Sequence, residues 1–315
     1  MTHRINAATV LAAIAPVLGF TPTNSLVIIQ ALGNDFHMMA RYDLTGSTDE
    51  LPGIIDHFRL DPDIEHRFLL VAVCREAFDH IAGEHLDALA SAIIDRGYPV
   101  AARLHTRQLD TAGTWTNIDT GESGPTHSYR DSVLAAHMAY ETGRPVASSR
   151  ADIEREFDQR EPAPAIHHRC DRELVTATML RIYAVLAGQA TVTTSLAAQA
   201  GVLITESVHL RDALLGISAE HLPVAAGMWT QIASHLRAAA RIEALALAAA
   251  CNYANNDGVR AGIAIDVAHT EAHDTGTETG NLIGLLEVSL DAAIPPVEIR
   301  KILAGINTQP PAHEA

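Results

Sequence analysis

The chain is poor in lysine, in aromatic residues and in cysteine. Lys301 is the only lysine against twenty-one arginines, aromatic residues make up 4%, and the three cysteines are Cys74, Cys170 and Cys251. The cysteines are odd in number, widely spaced and free of any C-x-x-C pair. This argues against a disulfide framework or a cysteine-based zinc site and fits a reducing cytoplasm. No apolar run reaches bilayer length, because Arg237, Arg241 and Glu243 interrupt the best candidate, so no membrane partner is expected. A basic surplus is also missing. The formal net charge of -16 repels phosphate backbones and argues against general nucleic-acid binding. There is no G-x-x-x-x-G-K-[ST] and no G-x-G-x-x-G after a strand, which removes the usual support for nucleotide and dinucleotide sites. No cofactor is expected.

What the chain does have is length and apolar content. Its 315 residues, 48% hydrophobic and rich in Ala, suffice for two domains built without disulfide or metal staples. His3 and Arg4 followed by Ala7 to Ala15 imitate a short signal peptide with an Ala13-Ile14-Ala15 cleavage site. Cleavage there would leave Pro16 first, a poor substrate, so an internal helix is the preferred reading.

That helix is capped by Asn6 and carries Val10, Leu11, Ile14, Val17 and Leu18 at helical spacing, with Gly19 closing it. Thr21-Pro22 is extended and Thr23-Asn24-Ser25 turns into a nearly continuous apolar strand, Leu26 to Leu32, expected at the sheet's centre and covered on both faces. Gly33-Asn34-Asp35 signals a hairpin into a strand from Phe36 to Leu44. A broken helix, Thr48 to Phe58, and a loop, Arg59-Leu60-Asp61-Pro62, lead to a buried strand, Phe68 to Val73. An amphipathic helix over Phe78 to Ile94 stops at Gly97. Strands follow over Pro99 to Leu109 and around Trp115, and Asp119 to Thr126 reads as loop. This order predicts an α/β architecture with a mixed sheet. Tyr129 to Thr142 and Ser149 to about Phe157 read as helices, and Glu161-Pro162-Ala163-Pro164-Ala165 as a linker. Beyond it only helices are expected, from about Asp171 to Leu303. The predicted domains are therefore 1–160, mixed α/β, and 171–315, all-helical, with 161–170 between them. In the second, Leu245, Ala248, Ala249 and Asn252, then Ala261, Ile265 and Ala268, fall at the offsets of a tetratricopeptide-like (TPR-like) helical hairpin turning at Asn256-Asp257-Gly258. Asn281 to Ile302 is a weaker second unit.

Several phrases together resemble an actinobacterial family, the domain of unknown function numbered 4192. They are Leu11 to Pro22 with Asn24-Ser25-Leu26-Val27, then Ala40-Arg41-Tyr42-Asp43-Leu44, Ser149-Arg150-Ala151-Asp152, Val208 to Leu215, Met228-Trp229-Thr230, and the Asp257-Gly258 hairpin ending in Gly284-Leu285-Leu286. The resemblance spans nearly the whole chain and implies no reaction, cofactor or partner. The chain departs from the family pattern at Gly113 to Asn117, where a fuller aromatic and cysteine-containing passage is expected.

The candidate ligand-binding residues are Arg41 and Asp43, two apart on one strand face, with Arg211 and Asp212, adjacent on a helix and so pointing to different faces. Each pair can equally be a plain ion pair tying elements together. Ser25 lacks a G-x-S-x-G setting and begins a strand. The rule that ligands gather at the carboxyl ends of strands puts its loop at the wrong edge, so turn-capping is its expected role. His269 and His273 stand at i, i+4, with Asp266 one turn earlier, a spacing that can chelate a metal. The segment is not H-E-x-x-H, and histidines also suit a helix C-terminus. His167-His168-Arg169-Cys170 is a further exposed cluster. No catalytic residue is assigned. The expected function is a cytoplasmic binding or regulatory protein engaging a protein partner or small molecule. The alternative is an enzyme acting on a small polar or anionic substrate in an interdomain pocket.

Overall fold

The structure is a computed structural model describing residues 6–33, 35–44, 47–58, 60, 64–166 and 170–306. His3 and Arg4, Asn34 of the expected hairpin turn, Arg59, Asp61 and Pro62 of the expected loop, and His167, His168 and Arg169 lie outside these residues. The chain divides into two compact units, Met1–Arg150 and Ala151–Ala315.

The first unit opens with α1 (Ala7–Leu18), capped by the Asn6 side chain and closed by Gly19, whose φ of 75° is the left-handed conformation glycine adopts freely. Strands β1 (Ser25–Leu32) and β2 (Asp35–Asp43) form an antiparallel hairpin. The broken helix resolves into 3₁₀ turns around α2 (Leu51–Ile54). Then come β3 (His66–Val73), α3 (Asp79–Asp95) and β4 (Val100–Thr106), followed by β5 (Gly113–Asn117) and β6 (Ser123–Thr126). The six strands lie in the order β2-β1-β3-β4-β5-β6. Within the sheet, among the described residues, β3 and β4 are parallel and joined across α3, and the other strand pairs are antiparallel.

Leu26, Ile28, Phe68, Leu70 and Ala72 pack with Leu86, Leu89 and Ile93 of α3 and with Leu51 and Ile55. Val27, Ile29, Leu69, Val71 and Val73 are also buried, so β1 and β3 are covered on both faces. This explains their unbroken apolar composition. β1 lies between β2 and β3 and is internal, while β3 and β4 hold the middle of the sheet. β6 corrects the loop expected there. Pro125 is tolerated because β6 is an edge strand, and Gly124 leaves room for the Trp115 ring, 2.9 Å from where a Cβ would stand. The unit ends with α4 (Val133–Thr142), which Ser132 caps.

The second unit starts at Ala151, earlier than the expected linker and within α5 (Arg150–Glu154), and continues through α6 (Arg172–Leu186), α7 (Thr194–Glu206), α8 (Val208–Ser218) and α9 (Leu222–His235). It closes with α10 (Ala238–Ala254), α11 (Gly258–Thr275), α12 (Asn281–Asp291) and α13 (Pro296–Ile306). No helix among the described residues is long and apolar enough to cross a membrane. α10 is buried from Ala244 to Ala254 and packs on α7, α9, α11, α12 and α13, so it is the central helix of this unit. α10 and α11 are consecutive helices packed on each other, and α13 packs on α8 and α10.

Of the charges that interrupt the apolar run Arg241 is buried, and Arg260 and Glu271 of α11 are buried with it, each with partners. Arg241 donates to the carbonyls of Ala233 and Phe157 and lies 3.2 Å from Glu271, while burial pulls its pKa down. Arg260 reaches Glu156 and Asp257. Glu271 also accepts from the Ala238 amide and from Gln159. These bonds, with Arg160 N–H to Ser234 and Ala163 N–H to His235, hold residues 156–163 on the helices. They are the reason the unit begins before the proline-rich stretch.

Arg241→Ala would strand Glu271 in the interior. It is expected to lower the second unit's stability by about 3–5 kcal/mol in chemical denaturation. The double change Arg241→Met with Glu271→Gln should recover part of that loss.

Candidate functional site

β1 runs antiparallel to β3, with Ser25 opposite Val73. The start of β1 therefore lies at the carboxyl end of β3, beside the carboxyl end of β4, where Thr106 pairs with Val73. Asp43 pairs with Ser25 and Trp115 with Thr106. Asp43, Ser25, Val73, Thr106 and Trp115 thus form one row along this edge. This corrects the expectation for the Ser25 loop: it stands at the edge where α/β sheets collect ligands, not the opposite one. The expectation judged the edge from β1 alone, whereas β3 and β4 end where β1 begins.

On one face of this edge Arg41 and Asp43 meet as the period of two requires, in a two-point ion pair that includes Arg41 Nη1 to Asp43 Oδ2 at 3.0 Å. Arg41 Nε donates to Ser25 Oγ at 2.8 Å, and its guanidinium lies 5.8 Å from the Phe20 ring centroid. Ser25 in turn donates to the Thr23 carbonyl at 2.9 Å. Its hydroxyl thus donates to one neighbour and accepts from another, and the bond to Thr23 is a turn-type contact. Gly19-Phe20-Thr21 is fastened to Ala147 by backbone hydrogen bonds, and Thr21 Oγ1 lies 3.0 Å from Tyr129 Oη. Asn24, held at a φ of 46°, accepts from the Arg75 amide and so ties this loop to the end of β3.

On the opposite face stands a cluster that residue spacing did not reveal. Cys74 follows β3, His105 is the penultimate residue of β4, and Asp79 is the first residue of α3, which connects the two strands. Cys74 Sγ is 3.3 Å from His105 Nε2 and 3.9 Å from Asp79 Oδ1, and His105 Nε2 is 3.4 Å from Asp79 Oδ1. Arg107 grips Asp79 through both nitrogens, with Nη2 to Oδ2 at 2.7 Å, and Nη1 lies 3.4 Å from both His105 Nε2 and the Cys74 carbonyl. Asp79 is held below the usual carboxylate range chiefly by the Arg107 hydrogen bonds. Burial, with Arg107 nearby, lowers the His105 pKa. Burial, reinforced by Asp79, pushes the Cys74 thiol up to about 11. Asp79 and the thiol address the same imidazole nitrogen. A relay in which a carboxylate orients the far nitrogen while the near one deprotonates a nucleophile is therefore not built here. Among the described residues, Cys74, Asp79 and His105 are the group of three placed to share a metal ion.

The other expected residues lie in the second unit. Arg211 folds back onto Asp212, with Nη2 to Oδ1 at 2.9 Å, and reaches Glu243 of α10 at 3.1 Å. Adjacent helical positions thus still meet, because the long arginine side chain curls round to its neighbour, and the trio ties α8 to α10. His269 pairs with Glu287 at 3.3 Å, and exposed His273 with Asp274 at 3.3 Å. The two histidines line an open depression with Ala272, Gly276 and Thr277, and Asp266 is not grouped with them as a metal-ligand set.

A family model described as "Domain of unknown function (DUF4192)" matches residues 8–297, and the chain belongs to that family. No curated protein and no solved structure matches it.

The elevated Cys74 pKa fixes a pH dependence. With EDTA present, iodoacetamide should label Cys74 at pH 7 on the order of a hundredfold more slowly than free cysteine, because a thiol titrating near 11 is only about 0.01% thiolate there. Site-resolved mass spectrometry should show the rate climbing as pH rises toward about 11. A plateau near pH 8.5 would contradict the assigned environment.

Proposed function

We propose that this member of the DUF4192 family is a binding or regulatory protein, with a small polar ligand taken at the edge where β3 and β4 end. The observation that carries this reading is that one sheet edge carries Arg41 and Asp43 on one face and Asp79, His105 and Arg107 on the other. The nucleophiles there are quenched by their neighbours: the Ser25 hydroxyl is spent between Arg41 and Thr23, and Cys74 lacks an oriented base. Such an edge recognises charge and shape without forming covalent intermediates. The three unpaired thiols support work in the cytoplasm. The α10–α11 hairpin supports a TPR-like role in which the helical unit presents the protein to a partner. Arg211 and Asp212, locked with Glu243, support a structural role for that pair.

Thermal-shift screening of the full chain against amino acids, dicarboxylates and sugar phosphates tests the reading. A compound present at about a hundred times its Kd should stabilise the first unit by about 2.7 kcal/mol. It should do so in the wild type and not in Arg41→Gln or Asp43→Asn, and mass spectrometry should recover it unchanged. Turnover of a panel compound that disappears in Cys74→Ser or Ser25→Ala would replace the binding reading with an enzymatic one.

A further inference from the structure

We propose that Cys74, Asp79 and His105 form a Zn²⁺ site with one open coordination position, and that the Arg107 guanidinium holds the place of the ion until zinc displaces it. The inference rests on the reading of this edge as the binding site and specifies the chemistry of one of its faces.

The distances suit the ion. With Zn–N and Zn–O bonds of about 2.0–2.2 Å and Zn–S of about 2.3 Å, a tetrahedral site separates its donors by about 3.3–3.6 Å. The donors here stand 3.3, 3.4 and 3.9 Å apart. Closing the site requires only a few tenths of an ångström along the Cys74–Asp79 side. Sulfur, imidazole nitrogen and carboxylate oxygen together suit borderline Zn²⁺ better than the all-oxygen preference of Mg²⁺ or Ca²⁺. The frame is rigid. The Cys74 amide donates to the Thr106 carbonyl, Ala72 is in register with His105, and α3 begins at Asp79. Three protein donors leave a fourth position, the arrangement by which zinc takes water or a ligand atom.

Arg107 supplies the second half of the proposal. Its Nη1 donates to Asp79 Oδ1, the oxygen nearest the thiol and imidazole, and lies within 3.4 Å of His105 Nε2. It therefore occupies the Asp79 oxygen that the thiol and imidazole also face, and an ion shared by the three donors requires it to give up that oxygen. Half exposed, it can swing into solvent without leaving a core cavity. Without zinc, Arg107 balances Asp79. With zinc, Zn²⁺ is balanced by the Asp79 carboxylate and the Cys74 thiolate, the thiol proton passing to solvent as the Zn–S bond forms. Either arrangement is neutral, and a guanidinium beside a bound dication would be repelled.

The test uses the full chain stripped with EDTA and titrated with ZnCl₂, and with CoCl₂ as a spectroscopic substitute. The expected result is about one zinc per chain after gel filtration, and a thiolate-to-cobalt charge-transfer band with d–d bands of tetrahedral strength. The charge-transfer band should vanish in Cys74→Ser. Because Cys74 is buried, Asp79→Asn, at an exposed carboxylate, is the variant least able to perturb folding, and it and His105→Ala should weaken zinc binding more than tenfold. Arg107→Ala should tighten it about tenfold, the effect of removing one like charge beside the ion. Absence of the charge-transfer band, or zinc affinity indifferent to Asp79→Asn and His105→Ala, would overturn the site. Weaker binding in Arg107→Ala would overturn the displacement by zinc. A panel compound that still stabilises His105→Ala would leave the edge reading standing whatever zinc does.

Discussion

The functional geometry of the first unit depends on one constraint, the antiparallel insertion of β1 between β2 and β3. A parallel β1 would put the loop from Phe20 to Asn24 at the far side of the sheet from Cys74 and His105. Reversed as it is, β1 begins where β3 and β4 end, and Ser25 stands opposite Val73. Gly19, Asn24 and Ser25 each have a local backbone role: a left-handed cap, a left-handed turn and a turn hydroxyl. Together they also deliver Arg41 and the end of β3 to a common edge. A stretch that explains itself locally can still organise a site.

Much of the architecture was legible because local patterns carry it. The capping of α1, the hairpin, the apolar runs of β1 and β3 and the amphipathic α3 follow from periodicity and turn chemistry. The Arg41–Asp43 pair follows from the strand period alone. The Cys74–Asp79–His105 cluster was not legible from spacing, since a crossover helix separates its cysteine from its histidine and only the parallel β3–β4 register unites them. A signal did exist. At or just past their ends the two parallel strands carry side chains with chemistry to offer, and the carboxyl-end rule applied to β3 and β4, rather than to β1, points at Cys74 and His105. β6 escaped notice because Gly124 and Pro125 weaken any strand pattern, and only the Trp115 ring and an edge position make them acceptable there.

The helical unit shows the opposite balance. Its hairpin was readable, while the burial of Arg241 and Arg260 was not, because charged residues within an apolar run ordinarily mark an exposed face. Their partners come from distant segments: Glu156 and the Phe157 carbonyl from the start of the unit, and Glu271 from α11. A buried guanidinium with several fixed acceptors is costly to leave unpartnered, so these arginines fix which segment covers α10 and α11. The interactions of Arg211 and Asp212 are of the same kind, which is why the polar chemistry of this unit looks structural while that of the first unit looks receptive.

The most direct test of this division is hydrogen–deuterium exchange on the full chain with and without saturating zinc. Slowed exchange in residues 20–25, 74–79 and 104–107, with residues 269–279 unchanged, is the result the account predicts. Protection confined to residues 269–279, around His269 and His273, would contradict it and move the binding chemistry to the helical unit.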